Sequence, residues 1–455
     1  KLMSTLTRQG EAYRVHTKGA LDQLLKIASH ALVDGKIVPL TPAMKETYQQ
    51  VAETMSDAAL RVLGVAFKDT PQSIEPAEME QDLTIIGLVG MIDPPRLEVR
   101  DSIQTAKLAG ITPVMITGDH KNTAVAIAKE LGIASSIDES LTGDEIDALS
   151  DEEFARRIGD YRVFARVSPE HKVKIVRAFK SHGNIVSMTG DGVNDAPALK
   201  KADIGIAMGQ RGTQVAQEVA DMVLKDDAFS SIVVAIKQGR VIFDNIRKFV
   251  IFLLSCNLSE LLIVATASVL NLHFQLFPLQ ILFINLVTDV LPALALGVTE
   301  AAPHIMQRKP YSSEISIIDK KRWAAIFTYS SIIAITSIAA VFFSHELLHN
   351  TEGWNRELCN NILFYTLIFS QVLHVFNMSF ERGVPFHKTE VFRNKYVWYA
   401  VVSCIVLAMV SYWVVPVRNV LEVTIYGWKD WAIVIAASFL SLLLIQLAKK
   451  MKWVI

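Results

Sequence analysis

Apolar residues are distributed unevenly along this chain of 455 residues. Residues 1–246 alternate charged and apolar stretches as globular proteins do, whereas residues 247–455 contain repeated apolar blocks. Each block is long enough to cross about 30 Å of hydrocarbon as a helix. The blocks fall at about residues 249–270, 277–298, 323–343, 362–380, 397–417 and 431–447. The pattern therefore predicts a water-facing part followed by an all-α bundle of six transmembrane helices.

Short β-branched runs alternate with amphipathic stretches between residues 83 and 228. The predicted strands are Leu83–Ile92, Ile111–Thr117, Arg162–Val167, Asn184–Thr189 and Ala202–Met208, and the predicted helices are Glu98–Ala109, Lys121–Leu131 and Pro169–Lys180. Strands and helices in alternation indicate a doubly wound α/β parallel sheet, which binds ligands at the carboxyl ends of its strands.

Residues 1–82 differ from this pattern. Helices are predicted at Ala20–Leu32 and Pro42–Leu63 with a short strand after them, which is typical of a partial α/β domain. Residues 229–455 form the third predicted region, a stalk and the six spans. The stretch Phe229–Leu270 contains no proline and only one glycine, Gly239, so one helix could continue through it; two helices with a break at Gly239 are the alternative.

Composition adds three constraints. The mean hydropathy of +0.32 requires that part of the chain lie in lipid, and the net charge of −1 without a long basic run gives no reason to expect nucleic acid as a partner. Cys256, Cys359 and Cys404 lie in or beside apolar blocks without metal-ligand spacing, so we interpret them as core residues.

The chain begins with Lys1 and carries no signal sequence, so we expect it to continue upstream.

Loop charges predict the orientation. Positive residues concentrate in one set of loops and in the tail, while the opposite loops hold only Arg356, Arg418 and Lys429. The positive residues of the first set of loops and of the tail are Arg308, Lys309, Lys320, Lys321, Arg322, Arg382, Lys388, Arg393, Lys395, Lys449, Lys450 and Lys452. By the positive-inside rule, the water-facing part and the C-terminus face the cytoplasm of a multi-pass protein of the cell membrane.

Two predicted strands end in similar strings. Met115–Asp119 ends in Thr117-Gly118-Asp119, and Met188–Pro197 contains Thr189-Gly190-Asp191-Gly192-Val193-Asn194-Asp195. Glycine lets backbone N–H groups approach a phosphate, and a carboxylate at a strand end can hold Mg²⁺. The longer string strongly predicts a site for a phosphorylated group, whereas a single Thr-Gly-Asp also occurs in ordinary turns.

These strings, together with Ala165-Arg166-Val167-Ser168-Pro169-Glu170-His171-Lys172, resemble the phosphorylation domain of P-type ATPases, a HAD-like fold. The resemblance covers essentially the whole chain. Lys18-Gly19-Ala20 is similar to the nucleotide-pocket motif, Arg61 stands where a nucleotide-domain arginine is expected, and Met91–Arg96 resembles the return between the two domains.

The resemblance implies Mg²⁺-dependent transfer of phosphate from ATP to an aspartate, followed by hydrolysis. Asp191 would ligate Mg²⁺, Asn194 and Asp195 would order the phosphate site, and Lys172 would offset its charge. Thr117, Gly118 and Asp119 would contact phosphate or nucleotide. Arg166, Lys18 and Arg61 would hold ATP, although Lys18 and Arg61 also fit isolated surface cations.

The chain departs from the family in one respect: it contains no Asp-Lys-Thr-Gly-Thr, Thr-Gly-Glu-Ser or Pro-Glu-Gly-Leu-Pro string. The resemblance therefore implies a C-terminal part: the end of the nucleotide domain, most of the phosphorylation domain without its first strand, and the last six spans. Its expected partners are the lipid bilayer and the upstream part of the same pump, which would supply the actuator domain, the first four spans and the phosphorylated aspartate. A naturally split pump is the alternative.

Polar residues inside the predicted spans are functional candidates because their burial is costly. Asn257 and Glu260 share one helical face, as do Asn285, Thr288 and Asp289 in the next span. Five oxygen-bearing side chains suit a hard cation such as calcium. Asn257 and Thr288 also fit helix–helix hydrogen bonding, which explains Glu260 and Asp289 poorly.

The string Asn285-Leu286-Val287-Thr288-Asp289 resembles calcium pumps, because sodium–potassium pumps have an aspartate in place of this asparagine. The fourth span offers Gln371, where two-site calcium pumps of animal reticulum have a glutamate, and His374 one turn further on. Losing that carboxylate puts a second calcium site in doubt. Gln371 fits a ligand or a packing role, whereas a packing role is favoured for His374.

The sequence-based hypothesis is therefore export of Ca²⁺ from the cytoplasm, driven by ATP through an aspartyl phosphate. Tilting of Phe229–Leu270 would alternate access to the ion, and Glu260 would take up a proton when it releases calcium. The alternatives are a Na⁺/K⁺ or H⁺ pump of the same type, a non-catalytic regulatory membrane module that keeps the hydrolase fold, and a phosphatase tethered to a membrane.

Overall fold

The computed structural model describes residues 2–57, 60–91, 96–311, 316–349, 353–380, 386–451 and 453, apart from the side chains of Asp57, Arg61 and Leu97. The chain divides into two compact units, Lys1–Val233 and Val234–Ile455. The middle of the predicted return motif Met91–Arg96, residues 92–95, lies outside the described residues.

The first unit begins with a six-stranded sheet in the order β1-β2-β5-β6-β3-β4. These strands are β1 (Leu2–Gln9), β2 (Ala12–Gly19), β3 (Ala28–Val33), β4 (Lys36–Pro39), β5 (Arg61–Thr70) and β6 (Leu83–Met91). Helices α1 (Leu21–Ile27), α2 (Pro42–Asp57) and α3 (Pro76–Met79) accompany them. The sheet is antiparallel except between β3 and β6, and Leu24, Ala66 and Ile85 lie in its core.

Three sequence predictions in this region are wrong. The helix predicted over Ala20–Leu32 ends at Ile27, and the helix predicted over Pro42–Leu63 ends at Asp57, because β3 and β5 pair into the sheet there. Strand β6 was expected to open the parallel sheet at residue 83, but it pairs with β5 and β3. The six-stranded sheet therefore extends to Met91, beyond the predicted boundary at residue 82.

The rest of the first unit contains two three-stranded parallel sheets, ordered β7-β9-β8 and β10-β11-β12. The strands are β7 (Met115–Ile116), β8 (Ser140–Thr142), β9 (Val163–Ala165), β10 (Ser187–Gly190), β11 (Ile204–Met208) and β12 (Met222–Leu224). Their helices are α4 (Leu97–Leu108), α5 (Lys121–Glu130), α6 (Gly143–Asp147), α7 (Asp151–Arg157), α8 (Pro169–Ser181), α9 (Ala196–Lys201) and α10 (Gln214–Val219). The predicted parallel α/β arrangement is confirmed.

Strands β7 and β10 are edge strands of these two sheets. Ile116 of β7 nevertheless packs against both hydrophobic cores, one around Phe164 and one that contains Met188 of β10. The two edges therefore share one apolar side chain, Ile116, and their carboxyl ends are the ends that carry the two predicted phosphate-site strings.

Helices make up the second unit. They are α11 (Phe229–Val269, which begins in the first unit), α12 (Pro278–Phe283), α13 (Val290–Gly297), α14 (Lys320–Ser344), α15 (Arg356–His374), α16 (Glu390–Arg393), α17 (Lys395–Trp413), α18 (Val415–Val420) and α19 (Trp428–Lys450). Within the described residues, six helical segments are long and apolar enough to cross a membrane. They are Phe229–Val269, Pro278–Gly297, Lys320–His349, Arg356–Asn377, Lys395–Trp413 and Trp428–Lys450.

Helix α11 is continuous, which confirms the predicted single helix; the alternative of two helices with a break at Gly239 is wrong. The second span, in contrast, is interrupted: α12 and α13 are joined by a π-helical turn at Ile284–Thr288. The fifth span ends at Trp413, four residues before the predicted limit, because Pro416 lies in the first turn of α18. Helix α15 packs against α14, α17 and α19 and lies at the centre of the bundle.

Candidate functional site

The Thr117 loop follows edge strand β7 directly. The Thr117 hydroxyl donates to Asp119 Oδ2 at 2.9 Å and accepts the backbone N–H of Asp119 at 3.1 Å, which closes a tight turn. Gly118 and Asp119 are exposed. This turn places the exposed backbone of Gly118 and the Asp119 carboxylate at the carboxyl end of the strand.

The loop after the neighbouring strand, β9, holds this turn in place. The backbone N–H of Arg166 donates to Asp119 O at 3.1 Å, and that of Val167 donates to Thr117 O at 3.4 Å. Arg166 adopts a left-handed backbone with φ of +50°, which is uncommon for a residue other than glycine. Its exposed side chain therefore lies on a segment fixed to the Thr117 turn.

Asp195 organises the loop after β10. Its carboxylate accepts the backbone N–H of Asp191 at 3.2 Å and of Gly192 at 3.1 Å, and the Lys172 ammonium donates to it at 2.5 Å. A Cβ at Gly190 would lie 2.4 Å from the Asp195 Cβ, so only glycine fits there. Asp195 thus shapes the loop that carries Asp191 and Asn194.

Electrostatics favour the ionised form of Asp195, although the residue is only 6% exposed. Burial alone would raise the pKa of its carboxyl, but Lys172 and the two backbone donors outweigh that effect and hold this pKa below its usual range. At neutral pH the pair is therefore a charged hydrogen bond.

Helix α8 links the two loops. Ser168 caps it by accepting the backbone N–H of His171 at 3.4 Å, and Pro169 occupies its first turn. Lys172, one turn into the helix, then reaches Asp195. The exposed side chains of Asp191 and Asn194 make no hydrogen bond within the part of the chain that the structure describes. The Asp191 carboxylate is therefore open to a cation such as Mg²⁺.

A second polar cluster lies inside the helical unit and is centred on Glu260. One oxygen of its carboxylate accepts Asn285 Nδ2 at 2.9 Å, and the other accepts Gln371 Nε2 at 3.2 Å. Glu260 is 5% exposed and Gln371 fully buried. The cluster therefore joins three spans around one carboxylate.

Asp289 is the second carboxylate of this cluster. It is 1% exposed, and neither of its side-chain oxygens accepts an N–H or O–H hydrogen bond among the described residues. The groups that interact with it are the Cys256 thiol and the Glu260 carboxylate. The π-helical turn just before it widens the backbone, a feature common at functional sites. Unpaired buried carboxylate oxygens are costly, so the arrangement fits a bound cation.

Comparison with known protein families gives two matches along the chain. Residues 1–98 match the family described as P-type ATPase, cytoplasmic domain N, and residues 274–451 match the family described as Cation transporting ATPase, C-terminus. The chain belongs to the P-type cation-transporting ATPases.

Bacterial relatives of this P-type ATPase are similar over almost its whole length, and a human relative is similar over 76% of it. It is 45% identical to calcium-transporting ATPase 1 of Bacillus cereus over 99% of this chain and 52% of the relative. It is 39% identical to the calcium-transporting ATPase of Bacillus subtilis over 96% and 49%, and 38% identical to human calcium-transporting ATPase type 2C member 1 over 76% and 36%. The chain thus spans about half the length of the bacterial relatives.

The structure of this P-type ATPase does not bring every predicted site residue together. Lys18 is exposed on β2, and Arg61 opens β5, where its side chain lies outside the described residues. Both belong to the six-stranded sheet, away from the Thr117 and Asp191 loops in the sequence, and their role in ATP binding is a prediction.

The membrane cluster differs in membership from the prediction. Asn257 is exposed and makes no hydrogen bond with Glu260, so the structure does not place it in the cluster. The Thr288 hydroxyl donates to Ile284 O, in its own π-helical turn. Sequence reasoning missed Ser259 and the Cys256 carbonyl, which both accept from Gln371 Nε2. The four-residue spacing between Ser255 and Ser259 could have indicated a polar helix face.

Proposed function

We propose that this chain is the C-terminal half of an ATP-driven pump that exports Ca²⁺ from the cytoplasm. The observation that carries the proposal is the pairing of two sites in one chain: phosphate-binding loops at the ends of β7 and β10, and two buried carboxylates, Glu260 and Asp289, in an apolar bundle. The relatives named as calcium-transporting ATPases support the ion, and the other pump types and the non-catalytic module are therefore not favoured.

The edge strands support a shared phosphate site. One further parallel strand between β7 and β10 would join the two sheets, and its carboxyl end would then lie between the Thr117 and Asp191 loops. The phosphorylated aspartate, contributed by the upstream part of the pump, belongs at that position. The Thr117–Asp119 turn and Lys172 would then hold the phosphoryl oxygens, and Arg166, with Lys18 and Arg61, would hold ATP.

A magnesium ion would bind at the open Asp191 carboxylate, where it would neutralise phosphate charge. Asp195 is already bonded to Lys172 and two backbone N–H groups, so it shapes the site and leaves Asp191 to bind the metal. Asn194, exposed on the same loop, would order the phosphate.

In the membrane, Glu260, Asp289 and the side-chain oxygens of Asn285, Thr288 and Gln371 would surround the calcium ion. Asn257 would join them only when the upstream spans cover its exposed face. The cytoplasmic orientation of the first unit and of the C-terminus, and residence in the cell membrane, are part of the proposal, as is proton uptake by Glu260 in exchange for calcium.

The test uses the complete pump in membranes with radiolabelled ATP. Calcium should stimulate formation of an acid-stable phosphoenzyme, and Asp289→Asn should abolish that stimulation by removing a ligand charge. Asp430→Asn is the matched control: Asp430 is a buried aspartate of the same bundle, but it is bonded to Ser344 and His349 and lies outside the cluster. Phosphorylation that is independent of calcium, or equal loss in both variants, would contradict the proposal.

A further inference from the structure

Several buried polar atoms of α15 lack hydrogen-bond partners among the described residues, and three of them lie in the last turn of the helix. They are Ser370 Oγ, Gln371 Oε1 and His374 Nε2, and the exposed fraction of each residue is at most 1%. Residues three and four apart are neighbours on a helix surface, so His374 is adjacent to both of the others. Buried polar atoms are costly unless they are bonded, so this group requires an occupant.

Hydrogen bonds on the far side of His374 determine which ring nitrogen carries the proton. Gln446 Nε2 donates to Asn377 Oδ1 at 2.7 Å, so the Nδ2 group of Asn377 is the one that faces His374 Nδ1, at 3.2 Å. An amide NH₂ group can only donate. Nδ1 therefore accepts, and in the neutral imidazole the proton lies on Nε2, which is an unpartnered donor.

In the Gln371 carboxamide the acceptor, Oε1, is the atom that lacks a hydrogen-bond partner among the described residues. Its Nε2, which carries two hydrogens, faces three acceptors: Glu260 Oε1 at 3.2 Å, Ser259 Oγ at 3.3 Å and Cys256 O at 3.2 Å. The Oε1 atom is therefore the end turned away from the carboxylate cluster. One donor on His374, one acceptor on Gln371 and the Ser370 hydroxyl match the three hydrogen bonds that a buried water typically makes.

We propose that a buried water bridges Ser370, Gln371 and His374, and that His374 is thereby a positioning residue for the cation cluster. This inference rests on the proposed function. The water accepts from His374 Nε2–H and donates to Gln371 Oε1, which holds the Gln371 N–H toward Glu260 in the ion-free state.

The same water permits the opposite amide orientation. When the Gln371 carboxamide rotates to present its oxygen to a cation, its NH₂ group faces the water, which can accept it with its second lone pair while still accepting from His374. A direct bond between the two side chains could serve only one of these orientations. The water therefore lets Gln371 act as a donor without the ion and as a ligand with it.

The experiment is a double-mutant cycle in the complete pump that measures the calcium concentration giving half-maximal phosphorylation. His374→Leu should raise that concentration about five- to tenfold, the loss expected for one buried hydrogen bond. His374→Gln, which keeps an N–H donor, should stay within about twofold of the wild type. In a Gln371→Leu background, His374→Leu should add nothing, because both act through one carboxamide.

Packing is controlled by Phe252→Leu, which removes the ring stacked on His374 but leaves its N–H in place. We expect that variant to change the calcium dependence less than His374→Leu does. If the His374→Leu variant does not fold, His374→Met replaces it in the cycle, because methionine also lacks an N–H donor. The proposal would be overturned if the His374 and Gln371 substitutions raised the half-maximal calcium concentration independently, so that their effects multiplied. It would also be overturned if His374→Gln raised that concentration as much as His374→Leu.

A high-resolution structure of the calcium-free pump decides the water site directly. Density for a water within hydrogen-bond distance of all three atoms is expected, and a dry contact there would refute the inference whatever the kinetics show. Wild-type protein that calcium never stimulates would instead contradict the proposed function, so the two failures are distinguishable.

Discussion

Replacing Lys172 with Met tests whether the Lys172–Asp195 pair holds the phosphate loop. Removing one partner of a buried ion pair costs about 3–5 kcal/mol. Here the side chains are 21% and 8% exposed, and Asp195 keeps two backbone donors, so solvent and those donors offset part of the loss. We therefore expect Lys172→Met to lower the free energy required to open the Asp191 loop by about 2 kcal/mol. In Lys172→Arg, which keeps the positive charge, we expect most of this free energy to be retained.

The chain offers a matched control on the same helix. Lys174 pairs with Asp151 at 2.8 Å and its side chain is 26% exposed, close to that of Lys172, but Asp151 is 88% exposed. Pairs with so exposed a partner contribute about 0–1 kcal/mol. Lys174→Met should therefore have little effect, and the difference between the two variants isolates the buried carboxylate.

Hydrogen exchange by mass spectrometry suits this measurement. All seven tryptophans lie at or beyond Trp323, so their fluorescence reports on the bundle and should not change. Peptides that cover β10 and α9 should exchange about thirtyfold faster in Lys172→Met, as expected for about 2 kcal/mol. Equal exchange in the Lys172 and Lys174 variants would refute the reasoning.

The direction of the pKa shift adds a pH dependence. Because folding lowers the pKa of Asp195, its stabilising contribution is complete above the ordinary carboxyl pKa of about 4 and is lost as pH falls through the lowered value. The difference between wild type and Lys172→Met should therefore persist at neutral pH and shrink below about pH 4.

Two further substitutions test other contacts. Gly190→Ala would place a Cβ 2.4 Å from that of Asp195, and overpacking of this kind costs about 1–3 kcal/mol. We expect faster hydrogen exchange in the same peptides and less phosphorylation of the complete pump. Unchanged phosphorylation would contradict the loop geometry. Lys248 and Glu390 form a buried pair at 2.7 Å with side chains 4% and 6% exposed. Lys248→Met should destabilise the bundle by about 3–5 kcal/mol in unfolding followed by tryptophan fluorescence, because it leaves Glu390 as an unpaired buried charge. The double variant with Lys248→Met and Glu390→Met should recover most of that stability. Equal destabilisation in the single and the double variant would contradict this prediction.

The sequence predicted what local patterns determine. Glycine-rich strings at strand ends and apolar blocks are encoded within about twenty residues, and the Thr117 and Asp191 loops and the six spans were found in that way. The partner of a strand is not encoded locally. Leu83–Met91 was correctly predicted as a strand, but nothing in its residues shows that it pairs with β5 rather than opening the parallel sheet.

The membrane cluster shows the same limit. Helical spacing placed Glu260 with Asn257 and Asn285 with Asp289, but it does not show which side of a helix faces the bundle, and Asn257 is exposed. The π-helical turn ends at Thr288, four residues before Pro292, a helix-distorting residue that the prediction did not use. The proximity of Glu260 to Asn285 and Gln371 is seen in the structure, whereas their role as cation ligands remains a proposal.

The two edge strands have a consequence for biosynthesis. If an upstream strand joins β7 and β10, it leaves the ribosome before either of them, and its second neighbour appears only after residues 117–186 have been made. At about 5–20 residues per second, that strand stays half paired for several seconds, with an exposed edge that favours aggregation. Folding of the phosphorylation domain is therefore expected to depend on chaperones, and to finish only when the Asp191 loop has emerged.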